Sequence, residues 1–527
     1  MTAAIHPVLI AGAWRPARAA VGSFKAVNPA TGEAIEASYP ISSPAEVEDA
    51  VLAGKSAAPA MAGLPPEATA DFLEAYASAI EGRIGELVRM AHLETGLALE
   101  PRLGSVELPR TVFQLRQAAA AVRDRSWRRA TIDTKADIRS IFGPLGGPVV
   151  VFGPNNFPFA YNSIAGTDFA SALAAGNPVI AKAHPCHPGT TRLFAETAFA
   201  ALRSSGLPAA AVQLLYHMAP EDGLALVGHP ALGASAFTGS RPGGLRLKEA
   251  ADKAGKPIYL EMSSVNPVFI LPGALAERGE AIASEMFGSC IMGAGQFCTK
   301  PGLIVVPAGV DGEAFIERLR LAFASAPSQI LLARSVLDGI RSGLEAMTGA
   351  GARILAGGHP PAEPGFRFPG TLLRVSGERF LERPYALQQE AFGPVSLCVT
   401  ASPAAPYEAI ASALEGNLTA SVFSHSGEGD EALYQTLAPI LRTRCGRLLN
   451  DKVPTGVAVS PAMVHGGPFP ATGHPGFTAV GFPAAMIRFA ALHGYDHVRP
   501  DRLPPELRKA NPTGRMMRFV DGEWTNR

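Results

Sequence analysis

The chain has 527 residues, which is too long for one compact core and predicts two or three domains. Hydrophobic residues make up 47% and charged residues 17%, a balance that excludes a largely disordered chain. The 46 basic residues match the 46 acidic ones, which argues against electrostatic binding to nucleic acid or to an anionic membrane surface.

The sequence contains no recognisable signal for secretion or membrane insertion. Met1 to Ala20 lacks a basic segment followed by an apolar one, so we expect no signal peptide. No run of about eighteen apolar residues predicts a membrane-spanning helix. The odd number of cysteines, without the close pairs typical of metal sites, favours a reducing, cytoplasmic location. They are Cys186, Cys290, Cys298, Cys398 and Cys445.

The N-terminal segments are predicted to be mostly helical and carry no recognisable chemistry. Residues 27–33 form a predicted turn between two short strands. Ser43 is a predicted helix cap, with Glu46 three residues later, and residues 71–90 have helical apolar spacing.

A basic cluster and a predicted hairpin follow. We interpret the cluster as a solvated helix end or loop rather than a nucleic-acid patch. Its members are Arg123, Arg125, Arg128 and Arg129. Residues 128–140 alternate as a hairpin does, and the tail beyond Arg488 fits neither main domain, so both are candidate subunit contacts.

Short apolar strands alternate with helices after Leu145. This pattern predicts a doubly wound α/β domain, whose ligands bind at the carboxyl ends of the parallel strands. The predicted strands are 148–152, 178–182, 212–215, 234–237 and 257–260. The alternation resumes after Asn266 with strands at 267–271 and 303–306, which predicts a second α/β domain reaching to about residue 470.

Two segments contain residues with catalytic chemistry. Cys298 lies in Gly-Gln-Phe-Cys-Thr, a turn that would expose a thiol to a cleft, although a lone cysteine is usually buried and inert. Glu261 ends an apolar strand, where a carboxylate can act as a general base or simply form a salt bridge.

Three other segments follow predicted strands or form tight turns. Residues 152–159 contain an Asn-Asn turn whose amide could stabilise an oxyanion. Residues 237–244 are glycine-rich and open a helix, as in phosphate sites. Residues 389–394 place a carboxylate and an aromatic ring before a turn. Taken alone, each is more typical of an ordinary loop.

Together these motifs resemble the signatures of the aldehyde dehydrogenase superfamily, and the resemblance runs from Asn28 to about Phe482. The set is Asn-Phe-Pro, a strand ending in lysine, Phe-Thr-Gly-Ser with a later Gly, a strand-end glutamate, Gly-Gln-x-Cys and Glu-x-Phe-Gly-Pro. It implies Cys298 as nucleophile, Glu261 as general base, and Asn156 with the Cys298 backbone amide as oxyanion donors. A thiohemiacetal and then a thioester would form on Cys298, and hydride would pass to a nicotinamide without any metal.

The same resemblance implies how the cofactor is held. Lys182 would contact the adenosine ribose, the glycine-rich loop the pyrophosphate, and Glu390 the nicotinamide ribose, with Phe392 beside the ring. The predicted cofactor-binding residues are Phe152, Lys182, His184, Gly239, Ser240, Gly244, Glu390 and Phe392.

The implied architecture is an α/β fold in three parts. Residues 1–127 and 145–262 would form a doubly wound, Rossmann-like cofactor domain, and residues 263–475 an α/β catalytic domain. Residues 128–144 and 476–527 would form a small oligomerisation hairpin and tail, with a homodimer or homotetramer expected.

A departure from the usual motifs bears on which nicotinamide cofactor is predicted. Members that use NAD commonly carry an acid three residues after the strand-end lysine, where this chain has Pro185. Its absence favours NADP, with NAD as the alternative. The 2′-phosphate could be attracted by Lys182, His184, His187 or Arg192.

Two further departures point to one branch of the family. Asp168, near the position of a lysine in many relatives, is assigned no role, and Ser263-Ser264 replaces the usual Gly-Gly-type sequence after the glutamate. The chain resembles the branch of α-ketoglutaric semialdehyde dehydrogenases and NADP-dependent fatty aldehyde dehydrogenases. This resemblance implies an aliphatic aldehyde or semialdehyde substrate, with α-ketoglutaric semialdehyde preferred.

Three other functions stay open at the level of sequence. A cysteine esterase or hydrolase would need a partnering histidine, and the nearest after Cys298 is His359 in a loop-like segment. A non-catalytic relative is disfavoured by the intact Cys298, Glu261 and Asn156. Transfer of the acyl group to phosphate or coenzyme A is disfavoured because Glu261 is expected to activate water.

Overall fold

The computed structural model describes residues 5–18 and 20–527. Its first large sheet has seven strands, of which five are parallel and two at one edge are antiparallel. In spatial order they are Ile258–Glu261, Ala234–Thr238, Val149–Phe152, Val179–Lys182, Val212–Leu215, Val8–Ile10 and Ala13–Arg15. Val149–Phe152 is buried throughout because helices cover both faces of the sheet.

The order of these strands creates a switch point. The chain runs outward from Val149–Phe152 to Val212–Leu215, then returns to add Ala234–Thr238 on the other side. Ligands of such sheets bind where the order reverses, at the carboxyl ends of the strands. Phe152, Lys182, Thr238 and Glu261 are therefore brought to one edge.

Helices surround the first sheet. They are Pro44–Gly63, Pro66–Glu81, Ile84–Thr95, Leu108–Asp124, Thr167–Ala174, Pro188–Leu202, Pro220–Val227 and Arg241–Lys253, with a π-helical segment at Leu99–Glu107. Ser43 caps the first of them by accepting a hydrogen bond from the Glu46 amide, as predicted. The predicted helix over 71–90 is instead parts of two helices, because Gly82 and Arg83 interrupt it.

The second large sheet also has seven strands, all parallel except the first. In spatial order they are Arg353–Ala356, Thr371–Ser376, Val395–Ala401, Leu303–Pro307, Val268–Ile270, Asn417–Phe423 and Cys445–Asn450. Its helices are Pro272–Ile291, Val310–Ser325, Arg334–Gly349, Gly377–Glu382, Pro384–Leu387, Tyr407–Ser412 and Glu431–Arg444. The predicted α/β fold with two such domains is confirmed.

A third sheet joins the predicted hairpin to the C-terminal tail. Its strands, in order, are Ala490–Asp496, Ile138–Pro144, Thr131–Asp133, Arg518–Val520 and Glu523–Thr525. Smaller strands are Gly22–Val27, Ala34–Ser42 and His217–Met218 in one sheet, and Gln329–Ile330 with Arg367–Phe368 in another. Short 3₁₀ turns lie at Ser126–Arg128, Ala209–Ala211, Met292–Gly295, Glu428–Asp430, Ala484–Phe489, Pro500–Arg502 and Pro505–Leu507.

The interpretation of the basic cluster as a solvated surface was wrong for Arg125, which is buried. Arg125 pairs with Glu67 and Glu506, and Arg128 also pairs with Glu506. Glu506 is itself buried, so a charge inside the protein requires these cationic partners. The cluster therefore ties the tail to the helices of the first sheet.

Candidate active site

A cavity of about 980 Å³ lies at the carboxyl ends of the first sheet and is closed on its other side by residues of the second. Large clefts at this position are where doubly wound proteins bind ligands. All predicted site residues except Gly244 line it: Phe152, Asn156, Lys182, His184, Gly239, Ser240, Glu261, Cys298, Glu390 and Phe392.

Gly244 lies within helix Arg241–Lys253 and is not among the residues that line the cavity. A Cβ added there would lie 3.0 Å from the Met262 sulfur and 3.3 Å from the Phe237 ring. The pyrophosphate contact predicted for Gly244 stays a prediction. This glycine permits close packing of the helix against the strands.

Cys298 is presented by a tight turn whose glycines are required. Gly293, Ala294 and Gly295 all have positive φ, between 57° and 65°. A Cβ on Gly295 would lie 2.2 Å from the carbonyl oxygen of Gly393, in the Phe-Gly-Pro motif. Two motifs that are about a hundred residues apart in sequence are thus in backbone contact beside the thiol.

Glu261 reaches the same point from the first sheet. It is the last residue of its strand, and its side chain is only 2% exposed. Next to it runs the segment around Ala471, whose carbonyl accepts a hydrogen bond from the Met262 amide at 2.8 Å. An isolated bridge pairs Glu261 with Thr472. This pairing brings a distant loop into the site.

That loop supplies His465, which belongs to none of the predicted motifs. Its Nε2 lies 2.9 Å from Glu261 Oε1 and 3.4 Å from Cys298 Sγ, and the side chain is 1% exposed. The sulfur, the imidazole nitrogen and the carboxylate oxygen all lie within 4.8 Å of one another. The histidine that a cysteine nucleophile would require is therefore His465 and not His359.

A sequence signal for His465 does exist in the two glycines that follow it. A Cβ on Gly466 would lie 2.0 Å from the Phe477 carbonyl oxygen, and one on Gly467 would lie 2.2 Å from that of Asn417. Consecutive glycines of this kind mark a backbone threaded between other segments. The motif His-Gly-Gly-Pro therefore indicates a constrained loop, though not its position beside Cys298.

The thiol environment disfavours the thiolate in the free protein. Burial and the negative charge of Glu261 raise the pKa of Cys298 well above its ordinary value, and the positive charge of Arg110 opposes this rise. Because the thiolate is the reactive form, the site needs a group that accepts the thiol proton. His465 and Glu261 are the neighbours in position to do so.

Asn156 is buried and its side-chain Nδ2 donates to the carbonyl of Gln296 at 2.9 Å. The amide is thereby held against the loop that carries Cys298. An amide NH₂ has two hydrogens, so a second donor remains for an oxyanion.

Asn266, which was not predicted from the sequence, donates to the carbonyl oxygens of Cys298 at 2.8 Å and of Lys300 at 3.0 Å.

The other end of the cavity is basic. Burial lowers the pKa of Lys182 to about 8. Burial also lowers the pKa of His184, and the positive charges of His187, Lys182 and His217 lower it further. His217, not predicted, also lines the cavity, and its Nδ1 is buried with no hydrogen-bond partner among the described residues. Burial likewise lowers its pKa.

Two of the four residues that were predicted to bind the 2′-phosphate lie outside the cavity lining. His187 is buried with Nε2 2.9 Å from the Pro154 carbonyl, and Arg192 pairs with Glu196 on its own helix. Neither lines the cavity. Lys182 and His184 do, together with Pro185, which occupies the position of the missing acid.

The glycine-rich loop forms the cavity wall between these ends. Ser240 caps helix Arg241–Lys253 by accepting from the Gly243 amide, and no acidic residue lies in the first turn. A helix N-terminus with this composition suits an anionic ligand.

Near Cys298, burial raises the pKa of Glu390 to about 7, while the ammonium of Lys300 opposes that rise.

The charges of two arginines, Arg110 and Arg447, act on the environment of Cys298. Arg110 donates to Tyr161 Oη at 3.3 Å, and the Tyr161 ring centroid lies 5.9 Å from that of His465. Arg447 donates to the Pro454 carbonyl at 3.3 Å. Burial lowers the pKa of Arg447, whereas the negative charge of Cys298 raises it. Within the described part of the chain neither guanidinium forms an ion pair with a carboxylate.

Asp168 has a structural partner. Its carboxylate accepts a hydrogen bond from Arg488 Nη2 at 2.6 Å, and both side chains are buried.

None of the helices in the described residues combines the length and apolar character needed to cross a bilayer.

Comparison with known proteins identifies the family. The sequence model of the aldehyde dehydrogenase family matches residues 14–446. The chain is 41% identical over 515 residues to α-ketoglutaric semialdehyde dehydrogenase 2 of Azospirillum brasilense, covering 95% of this chain and 96% of that protein. It is 37% identical over 469 residues to α-ketoglutaric semialdehyde dehydrogenase of Acinetobacter baylyi, covering 86% and 87%.

Solved structures share the fold at lower identity. Lactaldehyde dehydrogenase from Escherichia coli superposes with a TM-score of 0.78 at 22% identity, covering 93% of this chain and 98% of that one. An aldehyde dehydrogenase C mutant from Pseudomonas syringae, in complex with NAD⁺ and octanal, gives 0.77 at 21% identity, covering 94% and 98%. The chain belongs to the aldehyde dehydrogenase family and is an enzyme that oxidises aldehydes.

Proposed function

We propose that this enzyme oxidises α-ketoglutaric semialdehyde to the carboxylate, with NADP as the hydride acceptor. The observation that carries the chemistry is the meeting of Cys298 and Glu261 on the wall of one cavity, with His465 in contact with both. The names of the relatives at 41% and 37% identity support the substrate. The alternative substrate is a fatty aldehyde.

The first step is the activation of Cys298. With its ring proton on Nδ1, neutral His465 accepts the thiol proton at Nε2, 3.4 Å away. The resulting imidazolium lies between two negative groups, the thiolate and the Glu261 carboxylate at 2.9 Å. This ion pair offsets the burial that otherwise keeps the thiol protonated.

The thiolate then attacks the aldehyde carbon, and the C=O electron pair moves to oxygen. The free N–H of Asn156 and the backbone amide of Cys298 stabilise this oxyanion in the thiohemiacetal. A bound nicotinamide cofactor supplies the acceptor for the hydride of this carbon. Collapse of the oxyanion as hydride leaves yields a thioester on Cys298.

Glu261 completes the reaction by removing a proton from water, whose oxygen adds to the thioester carbonyl. The C–S bond breaks, and the carboxylic acid and the Cys298 thiolate are released. Water, and not phosphate or coenzyme A, is the acceptor in this proposal because Glu261 lies next to the sulfur.

The residues around the cavity fit a dinucleotide. Lys182 and His184 would hold the adenosine end of the cofactor. Residues 239–240, at the helix N-terminus, would bind the pyrophosphate. Glu390 and Phe392 would hold the nicotinamide end, beside Phe152. The buried, unpartnered Nδ1 of His217 at the basic end supports a ligand with an additional phosphate.

Arg110 and Arg447 support a substrate with a carboxylate remote from the aldehyde. The charges of both act on the environment of Cys298, and neither is neutralised by a described acidic residue. A partly buried guanidinium without a carboxylate partner is costly unless a ligand supplies the negative charge. A fatty aldehyde offers no such charge.

A direct test compares catalytic efficiency with α-ketoglutaric semialdehyde and with pentanal, which has the same number of carbons but no carboxylate. Each is measured with NADP and with NAD by following the reduced cofactor. We expect the semialdehyde and NADP to be preferred. Equal efficiency with pentanal would contradict the substrate, and a clear preference for NAD would contradict the cofactor.

A cysteine hydrolase is a second candidate because His465 places an imidazole beside Cys298. It would cleave activated esters through an acyl-cysteine without any nicotinamide. The two functions separate cleanly: aldehyde-dependent reduction of NADP requires the dehydrogenase, whereas cofactor-independent ester cleavage without aldehyde oxidation would establish the hydrolase.

We also propose the domain roles and the assembly. Residues 1–127 and 145–262 bind the cofactor, residues 263–475 carry the nucleophile, and residues 128–144 with 476–527 mediate a homodimer or homotetramer. Exposed Leu492, Trp524 and Ile138 on the third sheet support this contact surface. Five unpaired cysteines support the cytoplasmic location. Light scattering of the full chain tests the assembly.

A further inference from the structure

We propose that Cys298, His465 and Glu261 form a three-ligand site for Zn²⁺, and that zinc bound there holds the nucleophile inactive. This goes beyond the proposed function because binding requires neither aldehyde nor cofactor. Sequence spacing could not show such a site, since the three ligands come from different segments of the chain.

The ligand types and their separations suit zinc. Zinc binds thiolate sulfur at about 2.3 Å and imidazole nitrogen or carboxylate oxygen at about 2.0–2.2 Å, so neighbouring ligand atoms of a tetrahedral site are about 3.3–3.6 Å apart. Here Sγ and Nε2 are 3.4 Å apart, and Nε2 and Oε1 are 2.9 Å apart. All three atoms lie within 4.8 Å of one another, so small side-chain shifts complete the geometry.

The carboxylate retains an unused binding site for a cation. Glu261 Oε2 is buried and has no hydrogen-bond partner among the described residues. Both Glu261 and Cys298 line the large cavity, from which water can reach the metal. Three protein ligands with an open fourth position are the usual arrangement of accessible zinc sites.

The charges balance when the metal binds. Zinc displaces the thiol proton of Cys298 to solvent, while His465 binds through neutral Nε2 with its proton on Nδ1, and Glu261 binds as the carboxylate. The two negative ligands then offset the two positive charges of the metal. The cations Arg110 and Arg447 reduce the affinity, whereas Glu390 increases it.

Zinc bound in this way prevents catalysis by occupying every reactive atom. The thiolate electron pair is donated to the metal and cannot attack a carbonyl. Glu261 cannot accept a proton from water, and His465 cannot accept one from the thiol. Removal of the metal by a chelator restores all three, so the inhibition is reversible.

The experiment measures metal binding directly, using the full-length enzyme without cofactor. Co²⁺ replaces zinc as a spectroscopic probe, because a cobalt–thiolate bond gives a charge-transfer absorption band. We expect one cobalt per chain, displacement by Zn²⁺, and loss of the band after alkylation of Cys298. EDTA should restore the activity lost with zinc.

Variants identify the ligands. Loss of a supporting residue near a metal typically costs about 10–100-fold in affinity, so removing a ligand through Cys298→Ser or His465→Gln should cost at least about 100-fold. His474→Gln is the matched control, because His474 is exposed on the same loop and touches neither Cys298 nor Glu261. It should bind as the wild type does.

Three results would overturn the site: no cobalt–thiolate band in the wild type, zinc binding unchanged in Cys298→Ser, or zinc binding unchanged in a folded His465→Gln. Should His465→Gln fail to fold, the alkylated wild type and Cys298→Ser still decide the outcome. An enzyme that oxidises no semialdehyde but binds cobalt through its thiolate would refute the proposed function and leave this site intact.

Discussion

His465 Nε2 lies 2.9 Å from Glu261 Oε1, although 204 residues separate the two in the sequence. The same nitrogen lies 3.4 Å from the sulfur of Cys298. One imidazole nitrogen therefore contacts both the nucleophile and the carboxylate, and the histidine and the glutamate can serve different steps.

This arrangement predicts different kinetics for two variants. His465→Gln should slow the formation of the thioester, because the thiol loses its proton acceptor, so no burst of reduced cofactor is expected. Glu261→Gln should leave that step largely intact and slow hydrolysis, giving a burst followed by slow turnover. We expect losses of about 10²–10⁴-fold in the affected step. Rapid-mixing measurement of the reduced cofactor distinguishes them; a burst in His465→Gln and none in Glu261→Gln would reverse the roles.

Asn156→Ala should lower kcat by about 10²–10³-fold, because one side-chain donor to the oxyanion is removed. The neighbouring Asn155 also lines the cavity and serves as the control, since no oxyanion role is assigned to it. Steady-state kinetics with saturating cofactor tests this. An equal loss in Asn155→Ala would place the effect in the loop and not in the Asn156 amide.

Affinity for NADP should fall as the pH rises through the pKa of Lys182. Burial lowers this pKa to about 8 in the free enzyme, so the ammonium that is proposed to attract the 2′-phosphate is present below that pH and lost above it. A bound phosphate favours the charged form, so the loss in the complex occurs at higher pH. Dissociation constants of NADP and NAD across this range test the effect, and Lys182→Met should abolish the NADP dependence. A parallel decline for NAD would argue against a phosphate contact.

Arg447→Met should reduce kcat/KM for α-ketoglutaric semialdehyde by about 10–100-fold, because a charge-assisted hydrogen bond contributes about 1.5–3 kcal/mol. The same variant should oxidise pentanal as well as the wild type does, since pentanal has no carboxylate. Arg110→Met should behave similarly. If pentanal oxidation drops by the same factor, the arginines act on the cysteine or on folding and not on the substrate.

Asp168→Ala should lower the free energy of unfolding by about 3–5 kcal/mol, because it leaves the guanidinium of Arg488 buried without its partner. Chemical denaturation, with refolding checked, measures this. Lys253→Ala is the matched surface control: it breaks the exposed pair with Glu249, which should leave the free energy of unfolding nearly unchanged. Combining Asp168→Ala with Arg488→Met should recover part of the loss.

The elements that carry the fold were predictable because their signals are local. Val149–Phe152 and Val212–Leu215 are short apolar runs bounded by breaks, and that pattern suffices for a buried strand. Cys298, Glu261 and Asn156 were predicted because each lies in a short motif at the end of such an element. Helix packing around Gly244 was not predictable, since a glycine looks the same whether it approaches a ligand or the side chain of Met262.

By itself, the sequence determined the α/β architecture, the family resemblance and the residues whose chemistry is written in contiguous motifs. Only the tertiary structure decided that His465 joins Cys298 and Glu261, and that His187 and Arg192 are engaged elsewhere. The reason is physical: hydrogen bonds and ion pairs across hundreds of residues depend on how strands and loops are threaded together, and side-chain spacing along the chain contains no record of that.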